Sequence, residues 1–109
     1  MPPSMNLTYP TTLVLHALAG GLRHGFDVID ATGLASGTVY PILRRLEREG
    51  LVSASWEDAA IAQAEQRPPR RYYELAPAGR AVLTTAAARY RVPRAIASRV
   101  RRLRPARSS

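Results

Sequence analysis

The sequence predicts a mainly α fold with a small β-hairpin, an α+β class, and two segments carry the prediction. Ser36–Val52, SGTVYPILRRLEREGLV, reads as an amphipathic helix running into a strand. Arg70–Gly79, RRYYELAPAG, reads as a returning strand followed by another helix. Short helices followed by a basic hairpin give the winged helix-turn-helix, here expected with a C-terminal dimerisation helix.

The elements follow in order. Thr11–Ala19 is apolar and stops at Gly20-Gly21. Leu13, Val14, Ala17 and Leu18 form one helical stripe, with His16 off it. Gly25–Ala31 predicts a short second helix with Phe26 and Ile29 inward, ended by Gly33, and Leu34 plugs the turn. In the third helix Val39, Ile42, Leu43 and Leu46 stand at i, i+3, i+4 and i+7. Gly37, Pro41, Arg44 and Arg48 point the opposite way, flanked by Tyr40 and Arg45. Ser36 is the expected N-cap and Gly50 the stop. Pro41 removes the amide that would bond the Gly37 carbonyl, which predicts a distorted first turn or a helix starting nearer Tyr40.

Leu51–Trp56 alternates as a strand, with Trp56 read as packing for the hairpin, and Tyr72–Leu75 is the strand's partner. Glu57–Pro69 between them is too long for a tight turn. Pro77 opens a fourth helix with Val82, Leu83, Ala86 and Tyr90 on one side. Pro93 then interrupts it, and Val92, Ile96, Val100 and Leu103 make a second stripe. The resulting division is a flexible leader (1–8), a winged-helix domain (9–76), a dimerisation region (77–104) and a frayed tail (105–109).

At 109 residues there is room for one domain. The absence of cysteine excludes disulfides and thiolate metal sites, and two histidines are too few for a histidine-rich one. His16 and His24 are read as structural. MPPSMNLTYP is no signal peptide, and no apolar run is long enough to span a bilayer, so the expected location is the cytoplasm with no membrane partner. Residues 1–88 carry eight arginines and eight acids; residues 89–109 carry eight arginines and no acid. The net charge of +8 therefore lies wholly in the last segment. Every basic residue is arginine. That suits phosphate, which its planar fork can grip, and it equally suits a GC-rich genome. The arginine-rich segment, Arg89–Arg107, has three readings: a basic arm on DNA phosphate, a dimerisation helix, or a disordered tail.

A helix-turn-helix places its second helix in the major groove, N-terminal residues first. Ser36 and Thr38 suit phosphate alongside the helix amides, and Gly37 permits close approach. Tyr40 and Arg44 share a flank that suits base edges or the backbone, arginine on guanine being the commonest specific contact. Tyr40 also reads as a partly buried filler between helices, and Arg44 and Arg45 as a solvated face of which at least one is expected to touch DNA. Arg67, Arg70 and Arg71 at the hairpin tip add affinity without sequence information. Glu57 and Asp58 are neighbours only in sequence and have no nucleophile or metal to serve. No catalytic grouping, glycine-rich phosphate loop, metal site or cofactor motif is present, so no enzyme is expected.

The chain resembles the PadR family of bacterial transcriptional regulators. The matching segments are HGFD (24–27), SGTVYP (36–41), LEREGLV (46–52), Trp56-Glu57, RPPRRYY (67–73) and LAPAGR (75–80), in order across residues 12–84. The resemblance implies DNA-contact residues Ser36, Thr38, Tyr40, Arg44, Arg70 and Arg71. It implies a repressor whose C-terminal helix dimerises. The leading expectation is then a homodimer on a double-stranded, pseudo-palindromic operator, with Val82, Leu83, Ala86, Tyr90, Ile96 and Val100 of the C-terminal stripes as dimerisation residues. The resemblance also implies relief by a small molecule near the dimer interface, whose identity the sequence does not encode. Two departures stand out: Ala76 replaces the family's usual Ser or Thr cap before Pro77, and the region after Tyr90 lacks the aromatics that line a flat ligand pocket in some relatives. The alternative function is a winged-helix protein-interaction module with little sequence-specific DNA binding.

Overall fold

The computed structural model describes residues 7–104. The predicted leader lies largely outside these residues and the predicted frayed tail wholly outside them. Helix α1 spans Tyr9–Ala19 and starts two residues before the expected point. Thr8 is the reason: its hydroxyl accepts from the Thr11 amide at 3.3 Å, and Pro10 suits the first turn. The buried stripe is wider than the pattern suggested. Thr11, Thr12 and Leu15 are buried along with Leu13, Val14, Ala17 and Leu18, so α1 runs through the centre of the molecule.

Helix α2 spans Gly25–Thr32. Gly33 closes it with φ 74°, donating its amide to the Ile29 carbonyl at 2.9 Å. The expectation that Phe26 faces inward is corrected: its side chain is 75% exposed. Val28 and Ala31 are the fully buried positions, and Phe26, two residues before Val28, falls on roughly the opposite side of a 3.6-residue turn. Leu34 is half-buried against the core, as its place in the turn predicted.

Helix α3 spans Ser36–Arg48. Val39, Leu43 and Leu46 have no exposed surface, and Ile42 packs beside them. Ser36 is not the N-cap. Ala35 takes that place in extended conformation, offering no side-chain hydrogen bond, and Ser36 is the first helical residue. The helix is continuous through Pro41, so a start nearer Tyr40 is also corrected. The carbonyl that Pro41 leaves without an amide belongs to Gly37, an exposed residue, so the missing bond costs little there. At the other end Gly50, with φ 76°, makes a tight reversal. Its amide donates to Glu47 O at 3.1 Å and that of Leu51 to Leu46 O at 2.9 Å, the paired bonds of a Schellman motif.

Strands β1 (Val52–Trp56) and β2 (Arg71–Leu75) pair antiparallel, from Val52 opposite Leu75 to Trp56 opposite Arg71. A two-stranded hairpin is marginal alone. Here the chain before α2 adds a third edge: His24 bridges Tyr72, and the Tyr73 amide donates to Arg23 O at 2.8 Å. Val52, Tyr73 and Leu75 are buried, whereas Trp56, expected as packing, projects past the core and is 65% exposed. The long wing segment contains a helix that the sequence reading missed, α4 (Ala59–Ala64), capped by Asp58.

Helices α5 (Pro77–Arg89) and α6 (Arg94–Leu103) complete the chain. Ala76 gives α5 no side-chain cap, as anticipated. Residues 77–104 pack on the same core as the rest: α5 lies against α1, and α6 folds back over α2.

A Cβ on Gly79, in the first turn of α5, would run into the Leu51 carbonyl oxygen and stand 2.7 Å from Leu75 Cδ1. The obstacle is backbone, so the helix must move. Gly79→Ala is expected to destabilise the protein by about 1–3 kcal/mol in urea unfolding. Gly37→Ala, whose Cβ meets nothing within 4 Å, is expected to be neutral or stabilising by up to about 1 kcal/mol.

Candidate nucleic-acid interface

Burial of one side of α3 turns its other side outward. Ser36, Gly37, Arg44 and Arg48 are exposed, and Thr38 is half-exposed. Gly37 and Arg44 lie seven residues apart, two helical turns, on one face. With Ala35 as N-cap, the start of α3 has no side-chain cap hydrogen bond. The first amides of α3, the helix dipole and the hydroxyl-bearing Ser36 and Thr38 share the first turn, where an anion is favoured. Arg44 makes no ion pair among the described residues.

The remaining predicted contacts are divided between surface and interior partners. Tyr40 is half-buried, its ring against Gly25; a Cβ on Gly25 would lie 2.6 Å from Tyr40 Cε1. Arg45 turns toward α1 and donates to Thr11 Oγ1 at 3.0 Å. Arg71 donates to Glu47 at 3.0 Å, and its guanidinium lies 4.8 Å from the Trp56 ring centre, so it ties β2 to both α3 and β1. Arg70 is exposed and makes no ion pair among the described residues. It lines an open groove with His24, Phe26 and Asp27.

Arg67 is the clearest departure from a DNA contact. Its guanidinium grips Glu57 through both terminal nitrogens, at 2.6 and 2.8 Å, and Glu65 through Nε at 2.9 Å. Glu57 is 5% exposed. It also accepts from the Arg70 amide at 3.2 Å and the Tyr72 hydroxyl at 3.0 Å. The carboxylate thus joins β1, β2 and the end of the wing loop. This role escaped the sequence because the partners stand 10 to 15 residues away with no periodic signature.

Protonation states follow from these contacts. The Arg67 guanidinium, then the Arg70 amide and Tyr72 hydroxyl, hold Glu57 at about 2 despite burial that opposes ionisation. Burial, then the Glu57 hydrogen bond, pushes the Tyr72 hydroxyl up. Burial, reinforced by Arg101, pushes His16 down. Burial outweighs Asp27 and Glu57 and pushes His24 down, its ring 4.7 Å from that of Tyr72. No metal-holding group of His, Cys, Asp or Glu occurs among the described residues.

The six predicted dimerisation residues are placed unequally. Ala86, Ile96 and Val100 are buried inside their own chain. Ile96 and Val100 belong to the main core, so in this arrangement neither faces a second copy. Val82, Leu83 and Tyr90 keep partial exposure.

The sequence profile of the transcriptional regulator PadR-like family matches residues 14–85, well over half the chain. The chain belongs to the PadR-like family of transcriptional regulators. A crystal structure of a PadR family transcriptional regulator from Eggerthella lenta DSM 2243 is similar to it. The two share 29% identity and a TM-score of 0.55, over 72% of this chain and 70% of that one. No curated protein matches. This PadR-like chain thus has the mostly helical winged-helix fold with a two-stranded sheet that the sequence predicted. Among its described residues no helix is long and apolar enough to cross a membrane.

The Glu57 cluster has a pH signature. Its carboxyl is held below the ordinary 4.5, so the contribution to stability is complete above that value and is lost as pH falls toward about 2. Trp56 is the chain's single tryptophan and adjoins Glu57. Its fluorescence is expected to report wing loosening within that window. Glu57→Gln is expected to abolish this transition and loosen the wing at pH 7, seen as faster amide exchange at Arg70–Tyr73.

Proposed function

We propose that this PadR-like regulator is a homodimeric repressor that reads a pseudo-palindromic operator with α3. One observation carries the reading: the buried stripe of α3 leaves Ser36 and Gly37 exposed and Thr38 half-exposed at a helix N-terminus without a side-chain cap, with Arg44 exposed two turns along. In this account the first amides of α3 and the hydroxyls of Ser36 and Thr38 take a backbone phosphate. Gly37 lets the backbone approach closely. Arg44, two turns along, reaches a base edge, with guanine its best partner. Arg70 of the wing rests on a phosphate or in the minor groove.

Tyr40, Arg45, Arg67 and Arg71 serve this interface chiefly by holding its parts in place. Two copies would set their α3 helices one turn of DNA apart, about 34–36 Å. Val82, Leu83 and Tyr90 are the candidate dimer contacts. Bound across a promoter, such a dimer excludes the transcription machinery.

Titration of variants on the DNA upstream of the protein's own gene, beside a shuffled duplex, tests the assignment. Arg44→Ala is expected to cost about 1–3 kcal/mol on the upstream fragment and little on the shuffled one. Arg70→Ala is expected to weaken both and reduce the salt slope by about 1. Gly37→Ala is expected to weaken DNA binding without loss of stability. Equal losses on both duplexes from Arg44→Ala would remove α3 as the reading element. Light scattering is expected to give twice the monomer mass, and a monomer would remove the paired half-sites.

A further inference from the structure

We propose that the outer face of α6 is a second, sequence-independent binding surface for the DNA sugar-phosphate backbone; this rests on the reading of α3 and the wing as the operator-binding elements. Ile96 and Val100 are buried, which turns Arg94, Arg101 and Arg102 outward on the opposite side of the helix, with Arg104 exposed at its end. None of the four makes an ion pair among the described residues. No acid occurs after Glu74 anywhere in the chain. A surface of this kind repels itself in isolation and is satisfied by a dense polyanion.

The position of α6 selects DNA as that polyanion. Arg99 donates from Nε to Ala31 O at 2.9 Å, anchoring α6 at the last turn of α2, just ahead of the turn into α3. Val100 packs directly on Gly20, and Arg104 lies beside Gly21, where a Cβ would stand 3.5 Å from Arg104 Cβ. That α1–α2 turn carries Arg23, whose guanidinium lies 5.6 Å from the Tyr72 ring centre in the wing. Arg104, Arg23 and the exposed Arg70 therefore stand in succession from the end of α6 to the wing, with Asp27 as an acid beside Arg70 on that path. The charge of α6 lies on the side of a helix that packs on α2, and arginine on phosphate adds affinity without sequence information, so the surface grips the backbone without reading bases.

The test replaces Arg94, Arg101, Arg102 and Arg104 together by Gln in the full chain, with circular dichroism and urea unfolding to show that the fold persists. All four are exposed, so the fold is expected to be unchanged. Both proteins are titrated at several salt concentrations on the upstream fragment and the shuffled duplex, and on anionic phosphatidylserine vesicles. The variant is expected to bind both duplexes at least tenfold more weakly at low salt. Its log K against log[salt] slope should fall by about 0.9 per engaged arginine, and its preference for the upstream fragment should be retained. An unchanged slope with preference retained overturns the α6 proposal and leaves the α3 reading standing. A reduced slope in a protein that never prefers the upstream fragment supports α6 and removes the α3 reading. Vesicle binding that depends on these arginines, with DNA binding unaffected, overturns the proposal in favour of a membrane surface.

Discussion

Burial of one stripe of α3 is the constraint on which the molecule depends. Val39, Leu43 and Leu46 have no exposed surface, and each such side chain contributes about 1.5–3 kcal/mol by leaving water. That free energy fixes the rotation of α3 about its axis. Rotation in turn decides that Gly37 and Arg44 face outward, and that the chain leaves at Gly50 in the direction β1 requires. The Schellman reversal and the contact between Gly79 and Leu51 then seat α5 at the base of the hairpin. A rotation of a quarter turn or more would draw Arg44 toward the core and expose Val39, and both are strongly disfavoured.

The wing is held by a different force. Its strands bury little beyond Val52, Tyr73 and Leu75, so polar contacts near its tip carry more of its geometry. A buried carboxylate is costly unless its oxygens are satisfied. Glu57 receives two guanidinium bonds, a backbone amide and a hydroxyl, so its burial is matched by partners. Arg71 adds a tie from β2 to α3 through Glu47. Four of the arginines around the interface thereby divide into two kinds: Arg67 and Arg71 build the wing, while Arg44 and Arg70 remain turned to solvent.

The sequence was most legible where local periodicity and packing agree. The α3 stripe, the Gly33 and Gly50 stops and the paired strands all follow from residue spacing and backbone chemistry that act over a few positions. It was least legible where the deciding contacts are distant. Phe26 is apolar but lies on the wrong side of α2 once Val28 and Ala31 take the core. The α4 helix left a faint trace, Asp58 before Ala59-Ala60, that a length argument about the loop obscured. Arginine type alone did not separate surface contacts from interior ties, because the acids that hold Arg67 and Arg71 come from other elements. Ile96 and Val100 show the same limit: an apolar stripe reveals that a face is covered, not whether the cover is the chain itself or a second copy.

The central claim is that α3 and the wing recognise particular DNA. It is tested most directly by titrating the purified protein, at rising salt, on the DNA upstream of its gene and on a shuffled duplex of equal length and composition. The account predicts tight binding to the upstream fragment that persists at salt concentrations where the shuffled duplex is released. Equal binding to both, vanishing together as salt rises, would contradict it and leave the arginines as a non-specific polyanion grip.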